Sequence, residues 1–375
     1  MAFPFDPLAL PWLLPLAALP ILSRKHPRLA DEPESGGTLV SVIVPARNES
    51  ATIDRLLDSL RRTTYSPVEI IVVDDASTDD TAAIAGRHAE QDSRVRVVGG
   101  APLPDGWYGK SWACVQGHRA ARGDLLLFTD ADTLHEPSVL SHAVGGLERT
   151  GADLATVLTR QELVSFWERA VMPQILTLLL FRYRPAQLNR ARRRRDVIAN
   201  GQFILVRREA YESVGTHEVV RDGVAEDLLI AQRFLEMGKR LRAWWAEDLI
   251  ATRMYSGLGA MVEGWSKNMY LGGRATFPEE PLLRSLVPMA LVAGPAFWLA
   301  PLAALILGAA WAPAAIALSV AFWTLIVMGL RLPPMYGLAY PLGAVVTLVM
   351  VFRSLSRGDR RVVWRGREYS GVERR

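Results

Sequence analysis

Two aspartates separated by one residue stand at the end of an apolar run in the segment LLLFTDADT, residues 125–133. Carboxylate oxygens are the ligands that Mg²⁺ and Mn²⁺ prefer, and such ions often keep positions open for phosphate groups. The spacing alone is weak evidence, because 39 acidic residues in a chain of 375 produce several such triplets by chance. The pair indicates a cation site only if other segments supply groups for a phosphate-bearing ligand.

The composition indicates a membrane component and excludes two kinds of cysteine site. Half of the residues are apolar, and the chain has 11 Trp and 23 Pro. The single cysteine, Cys114, excludes an intrachain disulfide framework and any CxxC metal site. The net charge is +4, but arginines cluster in RARRRR (190–195) and in the C-terminal tail. Such clusters are typical of contact with anionic lipid, and nucleic acid is the alternative partner.

Short aliphatic runs alternate with amphipathic stretches from residue 38 onward. The runs that we interpret as strands are TLVSVIVP, VEIIVVDD, VRVVGG and DLLLFTDAD. Amphipathic helices are predicted between them, the first with Ser50 as its N-cap. This alternation predicts an α/β, Rossmann-like domain whose mostly parallel sheet is covered on both faces. Ligands of such sheets bind beyond the carboxyl ends of the strands.

Polar clusters follow three of the predicted strands. They are Pro45-Ala46-Arg47-Asn48-Glu49, Asp74-Asp75 and Asp130-Ala131-Asp132. Because parallel strands share one carboxyl edge, we expect the clusters to meet around one ligand. A further acidic pair, Glu226-Asp227, opens a predicted helix that ends at Gly238.

These residue types suit the transfer of a sugar from a nucleoside diphosphate. The leaving diphosphate requires a divalent cation, which aspartates at a strand end can hold. The base and ribose require hydrogen-bonding groups, which Asn48, Glu49, Asp74 and Asp75 can supply. The acceptor hydroxyl requires a general base, for which the Glu226-Asp227 pair is the candidate. Strand-exit capping and helix-dipole stabilisation are the alternative roles of these acids.

Hydrophobic segments flank this domain on both sides. The apolar run 8–22 precedes Arg24 and Lys25, which predicts an uncleaved anchor over residues 1–24, with an interfacial helix as the alternative. Residues 161–185 are interpreted as interfacial helices rather than a span, because Glu168 and Pro173 interrupt the apolar run, with a buried core helix as the alternative.

Three segments near the C-terminus have lengths that can cross a bilayer core of about 30 Å. They are 285–310, 312–330 and 333–352. The tail 353–375 carries eight arginines against three acidic residues, which predicts a cytoplasmic location. A cytoplasmic catalytic domain and tail require an even number of crossings. We therefore expect two full spans and one shallow, bent or re-entrant segment.

The motif series resembles that of family 2 glycosyltransferases, the GT-A-fold enzymes that use nucleotide sugars. The motifs are VSVIVPARNE, VVDDASTDDT, FTDAD and AEDLLIAQRFLEMG, in order over residues 38–276. Two further segments, GWYGKSWACVQG and NGQFILVRREAY, resemble membrane-bound members that glycosylate isoprenoid lipids such as carotenoids or hopanoids. The tail segment WRGREY (364–369) is similar to tails of membrane glycosyltransferases, which suggests that it docks on the enzyme but assigns it no chemistry.

The resemblance implies a role for each matching residue. The nucleotide pocket would be lined by Pro45, Arg47, Glu49, Asp74 and Asp75. Asp75 would contact the uracil of a UDP-sugar, and Lys110 would approach its diphosphate. Asp130 would lie against the ribose or the metal, and Asp132 would ligate Mg²⁺ or Mn²⁺ directly. Asp227 would be the general base, with Glu226 beside it, in an inverting displacement that needs no covalent nucleophile.

One departure from the family pattern bears on the product. Polymer-forming relatives carry a Q-x-x-R-W motif after the base, where this chain has QRFLE (232–236). We therefore predict transfer of a single sugar to a membrane lipid by an enzyme in the bacterial cytoplasmic membrane whose catalytic domain faces the cytoplasm. A processive polysaccharide synthase and a non-catalytic scaffold or nucleic-acid binder are the alternatives, although no nucleic-acid partner is expected.

Overall fold

A seven-stranded sheet forms the centre of the protein. The computed structural model describes residues 6–22, 26–358, 361–364 and 367–370. The strands of the described residues are β1 Val40–Ala46, β2 Val68–Asp74, β3 Val95–Gly99, β4 Leu125–Phe128, β5 Thr133–His135, β6 Leu154–Leu158, β7 Arg160–Gln161, β8 Ile204–Arg207, β9 Leu241–Trp245, β10 Ile250–Thr252, β11 Arg361–Trp364 and β12 Arg367–Ser370.

Helices cover both faces of this sheet and continue beyond it. They are α1 Leu13–Leu22, α2 Ile53–Arg61, α3 Thr81–Gln91, α4 Gly109–Ala120, α5 Val139–Thr150, α6 Phe166–Arg182, α7 Pro185–Leu188, α8 Arg208–Ser213, α9 Glu226–Glu236, α10 Leu258–Ala275, α11 Pro281–Ile306, α12 Ala312–Gly329 and α13 Tyr340–Arg357. Short 3₁₀ helices stand at Pro7–Trp12, Leu29–Asp31, Arg194–Asp196, Thr216–Val220 and Pro334–Ala339.

The order of the main sheet is β3-β2-β1-β4-β8-β6-β9. All its strand pairs are parallel except those of β8, which runs antiparallel to β4 and β6. The predicted α/β class with a mostly parallel sheet is therefore confirmed. Every residue of β1 is buried, as expected for a central strand covered on both faces. The carboxyl ends of β1, β2 and β4 lie at one edge, which places the three polar clusters together.

Helix α2 shows how the amphipathic pattern builds the core. Ile53, Leu56, Leu57 and Leu60 are all buried against the sheet, as their helical spacing predicts. The helix begins after Thr52, so the prediction that Ser50 caps it was wrong. The backbone N–H of Ser50 instead donates to Asp79 in the loop after β2. A tertiary contact therefore holds Ser50, which a local capping pattern does not reveal.

Residues 166–182 form one continuous helix, α6, which contains Pro173, and its predicted interfacial location stays a prediction. Ser165 and Glu168 form a reciprocal cap at its start. Val171 and Ile175 are buried in a cluster shared with α10 and α13. This packing stabilises the helix and offsets the hydrogen bond that a proline removes.

Three C-terminal helices are long and apolar enough to cross a membrane, as far as the described residues show: 281–306, 312–329 and 334–357. The N-terminal apolar helix, Pro7–Pro20, is shorter. Its Trp12 stacks on Phe297 of α11 and on Trp311, which directly precedes α12. Arg24 and Lys25, on which the orientation of the anchor rests, lie outside the described residues, as do residues 359–360, 365–366 and 371–375 of the tail. The predicted domain boundaries therefore stay predictions.

Candidate active site

The loops after β1 and β2 are joined into one unit. Arg47 donates from Nη1 to the carbonyl oxygens of Asp75, at 2.5 Å, and Ala76, at 2.8 Å. Asn48 Oδ1 accepts from the backbone N–H of Thr78 at 2.8 Å. Asn48 and Ala76 have φ values of 53° and 52°, in the left-handed region that non-glycine residues rarely adopt. Strained backbone on both loops, held by cross-loop hydrogen bonds, is typical of a binding site.

The remaining predicted nucleotide residues occupy different environments. Pro45 is a buried residue of β1 itself. Glu49 is buried, and its backbone N–H donates to Thr81 Oγ1 at 2.8 Å. Asp74 has a buried Oδ1 that accepts no hydrogen bond from any described residue. An unsatisfied buried acceptor requires an explanation, and a hydrogen-bond donor of a ligand would provide one.

Asp75 contacts a residue that the sequence did not link to it. Its exposed fraction is only 1%, and its two carboxylate oxygens lie 2.9 and 3.2 Å from Nη1 of Arg367 in strand β12. Burial raises the pKa of Asp75, although the charges of Arg367 and Arg47 act in the opposite direction. Sequence reasoning missed Arg367 as a site residue. Its only signal was the tail segment WRGREY, to which no chemistry was assigned.

Lys110, at the start of α4, joins two of the predicted carboxylates. Its Nζ lies 2.7 Å from Asp130 Oδ1 and 2.6 Å from Glu226 Oε1. Burial opposes the charge on Lys110, but Asp130, Glu226 and Asp227 outweigh it and raise the pKa of the lysine well above its usual value. The structure thus links the end of β4 to the start of α9 through one charged amine.

Asp132 lies among other carboxylates. Burial, followed by the negative charges of Asp130 and Glu49, raises the pKa of Asp132 to about 7, and Thr252 Oγ1 donates to its Oδ1 at 3.2 Å. Within the described residues, no group of three or more His, Cys, Asp or Glu side chains could hold a metal ion. The neighbouring carboxylates of Asp130 and Asp132 nevertheless fit a Mg²⁺ or Mn²⁺ ion that takes its remaining ligands from phosphate and water.

Asp227 is held in place by backbone groups at the start of α9. Its Oδ2 accepts from the N–H of Gly201 at 3.2 Å, and its Oδ1 accepts from the N–H of Leu228 at 2.8 Å. Burial and the adjacent charge of Glu226 raise the pKa of Asp227 to about 6, against the influence of Lys110. A carboxylate with this pKa can accept a proton near neutral pH, as a general base must.

Gly201 lies where the charged groups converge. A Cβ atom at this position would lie 2.8 Å from Lys110 Nζ, 3.4 Å from Asp227 Oδ2 and 3.6 Å from Asp130 Oδ2. The absence of a side chain therefore leaves space beside the predicted base and the predicted metal ligand. Gly201 belongs to the motif NGQFILVRREAY, and the sequence alone indicates no role for it.

One large cavity connects this charged group with apolar helices. Its volume is about 1580 Å³. The charged residues in its wall include Lys110, Asp130, Glu226 and Asp227. The apolar residues in its wall include Leu16, Leu19, Leu176, Leu179, Met269, Val287, Leu291, Leu325 and Ile326, from α1, α6, α10, α11 and α12. Arg47, Asp75 and Asp132 do not line it, whereas Asp130, in the loop after β4, does.

Two buried histidines have structural contacts, and two aromatic residues of α10 differ in their relation to the cavity. His135 Nε2 lies 3.1 Å from Thr129 Oγ1, and His217 Nδ1 lies 2.7 Å from the hydroxyl of Tyr211. Trp265 lines the cavity, whereas Tyr270 does not.

Comparison with known proteins shows that the chain is similar to glycosyltransferases. Residues 41–215 match the family model described as Glycosyl transferase family 2. The 4,4'-diaponeurosporenoate glycosyltransferase of Staphylococcus aureus strain MRSA252 is 28% identical over 267 residues, which cover 69% of this chain and 68% of that protein. The protein of the same name from strain USA300 is 27% identical over the same coverage.

A solved structure shares the fold over nearly the whole chain. The mannosyltransferase PcManGT from Pyrobaculum calidifontis, determined in complex with GDP-Man and Mn²⁺, superposes with a TM-score of 0.57 and 22% sequence identity. The superposition covers 92% of this chain and 94% of that one. The sheet, the helices around it and the C-terminal helical region therefore follow the GT-A fold.

Proposed function

We propose that the chain, whose residues 41–215 match the model of family 2 glycosyltransferases, transfers a single sugar from a UDP-sugar to a membrane lipid. The observation that carries the proposal is the composition of the large cavity. Asp227 and Asp130 share its wall with apolar side chains from helices that can enter a membrane. A lipid tail can occupy the apolar part while its polar end reaches the carboxylates.

The proposed acceptor is an isoprenoid lipid such as a carotenoid or a hopanoid. The Staphylococcus aureus relatives are named for a carotenoid-type acceptor, 4,4'-diaponeurosporenoate. A cavity of about 1580 Å³ also has room for a long acyclic or polycyclic hydrocarbon. The acceptor class therefore agrees with both the relatives and the apolar wall.

Asp227 is the proposed general base of an inverting displacement. It removes the proton of the acceptor hydroxyl as that oxygen attacks the anomeric carbon, and the bond from this carbon to the diphosphate breaks. The backbone N–H groups of Gly201 and Leu228 orient the carboxylate for this transfer. The charge of Glu226 raises the proton affinity of Asp227. Glu226 also contacts Lys110, the residue proposed to approach the diphosphate.

The donor would lie along the loops after β1, β2 and β4. The proposed nucleotide residues are Pro45, Arg47, Glu49, Asp74, Asp75, Lys110 and Asp130. Asp132 and Asp130 would hold Mg²⁺ or Mn²⁺, which when bound neutralises charge on the leaving diphosphate. The complex of PcManGT with GDP-Man and Mn²⁺ supports a nucleotide sugar with a divalent cation.

The proposed membrane arrangement has two crossings. If α11, α12 and α13 all crossed, the tail would lie on the side opposite to the catalytic domain. Arg367 in the tail contacts Asp75 in that domain, and Arg357 at the end of α13 contacts Glu263 of α10. We therefore assign α13 to the membrane surface, where its exposed stripe of Leu342, Val345, Val349 and Phe352 would meet lipid. A cytoplasmic location follows from the arginines of the tail.

The decisive experiment offers the purified full chain a panel of UDP-sugars and GDP-mannose, together with a lipid extract of its host. We expect mass spectrometry to show one lipid class that gains the mass of a single hexose, and only with a divalent cation present. Repeated hexose additions would instead indicate a processive synthase. RNA binding without any affinity for nucleotides would contradict the enzymatic function altogether.

A further inference from the structure

Strands β11 and β12 form the C-terminal hairpin, which follows α13. Hydrogen bonds hold the end of α13 on the catalytic domain. Arg357, at the end of α13, makes hydrogen bonds of 2.7 and 2.9 Å with Glu263 of α10, and Arg353 adds a third at 2.8 Å. Ser354 Oγ also accepts from the backbone N–H of Tyr270 at 3.0 Å. These contacts fix the end of α13 close to the catalytic domain, so only a short segment separates this anchor from β11 and β12.

Arg367 is placed where the hairpin meets the predicted donor site. Strand β12 pairs with β11 in antiparallel register, with Trp364 opposite Arg367. The guanidinium of Arg367 donates from Nη1 to both oxygens of Asp75, and its side chain is only 21% exposed. Removing one partner from a buried ion pair is strongly unfavourable, so the pair holds the hairpin against the loop after β2.

The charge balance of the site explains what such an arginine could do. The proposed donor and catalytic residues include seven carboxylates: Glu49, Asp74, Asp75, Asp130, Asp132, Glu226 and Asp227. Lys110 is one positive charge that bridges two carboxylates, Asp130 and Glu226, and Arg47 donates to backbone carbonyls. A diphosphate adds further negative charge, so its binding requires additional cations. A guanidinium suits this role, because it binds phosphate with several N–H groups and stacks on flat rings.

We propose that the C-terminal hairpin forms a wall of the donor site and that Arg367 binds the nucleoside diphosphate part of the donor. Besides its proposed place among the nucleotide residues, Asp75 positions Arg367, because its carboxylate binds the guanidinium. The ion pair engages Nη1, while Nε and Nη2 carry further N–H donors that can meet a ligand. This inference rests on the proposed use of a nucleotide-sugar donor.

The test measures binding of UDP in the presence of Mn²⁺ to the full chain in detergent, by calorimetry, with the thermal unfolding temperature measured alongside. Arg367→Ala is expected to weaken UDP binding about tenfold or more, because a charge-assisted hydrogen bond is lost. Arg367→Lys should weaken it less, and Asp75→Asn should weaken it because Arg367 loses its anchor. Arg361→Ala is the matched control on the neighbouring strand and should bind UDP as the wild type does.

The outcomes separate this inference from the function on which it rests. A wild-type protein that binds neither UDP nor GDP would overturn the proposed function, and this inference with it. If the wild type binds UDP and a folded Arg367→Ala variant binds equally well, the donor role of the hairpin is wrong. Tighter binding by that variant would contradict it too, because the hairpin would then exclude the nucleotide. If Arg361→Ala weakened UDP binding as much as Arg367→Ala does, the effect would not be specific to Arg367, and the proposed role of Arg367 would be wrong.

Discussion

At the residue scale, a few side chains define the chemistry that the site can perform. Asp227 is buried beside Glu226, yet two backbone N–H groups and the charge of Lys110 stabilise its carboxylate. Opposing effects of this kind leave the group able to exchange a proton near neutral pH, which neither an exposed aspartate nor a fully desolvated one does. The proposed base therefore depends on its surroundings as much as on its identity.

The pH dependence of the rate tests this base. The pKa of Asp227 is raised to about 6, and a base acts only when it is deprotonated. We expect kcat/KM to be maximal above this value and to fall as the pH drops through about 6. Asp227→Asn should lower kcat at least about 100-fold and remove this acidic limb. The exposed Asp222→Asn is the control and should retain the wild-type profile. An unchanged profile in Asp227→Asn would assign the base elsewhere.

Gly201 gives a second test at this scale. A methyl group there would lie 2.8 Å from Lys110 Nζ and would displace the lysine from its two carboxylates. We expect Gly201→Ala to lower kcat at least about tenfold while the protein stays folded, because misplaced catalytic groups reduce the rate strongly. Gly99→Ala in β3 is the matched control, since a Cβ atom there meets nothing within 4 Å. Steady-state kinetics and circular dichroism of both variants decide the point.

At the scale of secondary-structure elements, the packing of α13 on α6 joins the C-terminal region to the catalytic domain. Gln174 of α6 donates to the carbonyl oxygen of Tyr340 at 3.2 Å, and Gly343 allows the two helices to approach closely. This contact positions both the apolar cavity wall and the hairpin that follows α13. Catalytic and membrane parts are therefore linked by packing as well as by chain connectivity.

Substitution of Gly343 tests the link. A Cβ atom at this position would lie 2.2 Å from the backbone oxygen of Ala170, a contact that requires the helices to separate. We expect Gly343→Ala to lower the free energy of unfolding by about 1–3 kcal/mol, as overpacking usually does. Gly294→Ala in α11 should have little effect, because a Cβ atom there meets nothing within 4 Å. Thermal unfolding in detergent compares the two, and equal stability would show that this helix contact is unimportant.

At the scale of the whole molecule, the proposed arrangement places the tail and the catalytic domain on the same side of the membrane. The Asp75–Arg367 and Glu263–Arg357 pairs both require it, although three helices are long enough to cross. Length and hydropathy cannot separate a crossing helix from one that lies on the surface. The exposed apolar stripe of α13, opposite the face that packs on α6 and α10, is typical of a surface helix.

Cysteine labelling tests this arrangement. The single native cysteine, Cys114, is buried and should react poorly with a maleimide. A cysteine introduced by Asp222→Cys reports the catalytic domain, and one introduced by Ser370→Cys reports the tail. In sealed inverted vesicles, we expect a membrane-impermeant maleimide to label both variants, and in intact spheroplasts neither. If one variant were labelled only in inverted vesicles and the other only in spheroplasts, all three helices would cross the membrane.

The amino-acid sequence by itself determined the α/β class, the strand ends that carry Asp75 and Asp132, and the helix that opens with Glu226 and Asp227. These features follow local patterns of hydrophobicity and turn chemistry, which a single sequence contains. The role of Ser50 was misjudged, because a cross-loop hydrogen bond outweighed its local capping preference.

Only the tertiary structure decided that Lys110 joins Asp130 to Glu226, that Gly201 leaves space among the charges, and that Arg367 reaches Asp75 across 292 positions of sequence. The physical reason is that these relations join segments far apart in the chain. No local period or spacing encodes such contacts, which exist only once the sheet, the helices and the hairpin are packed together.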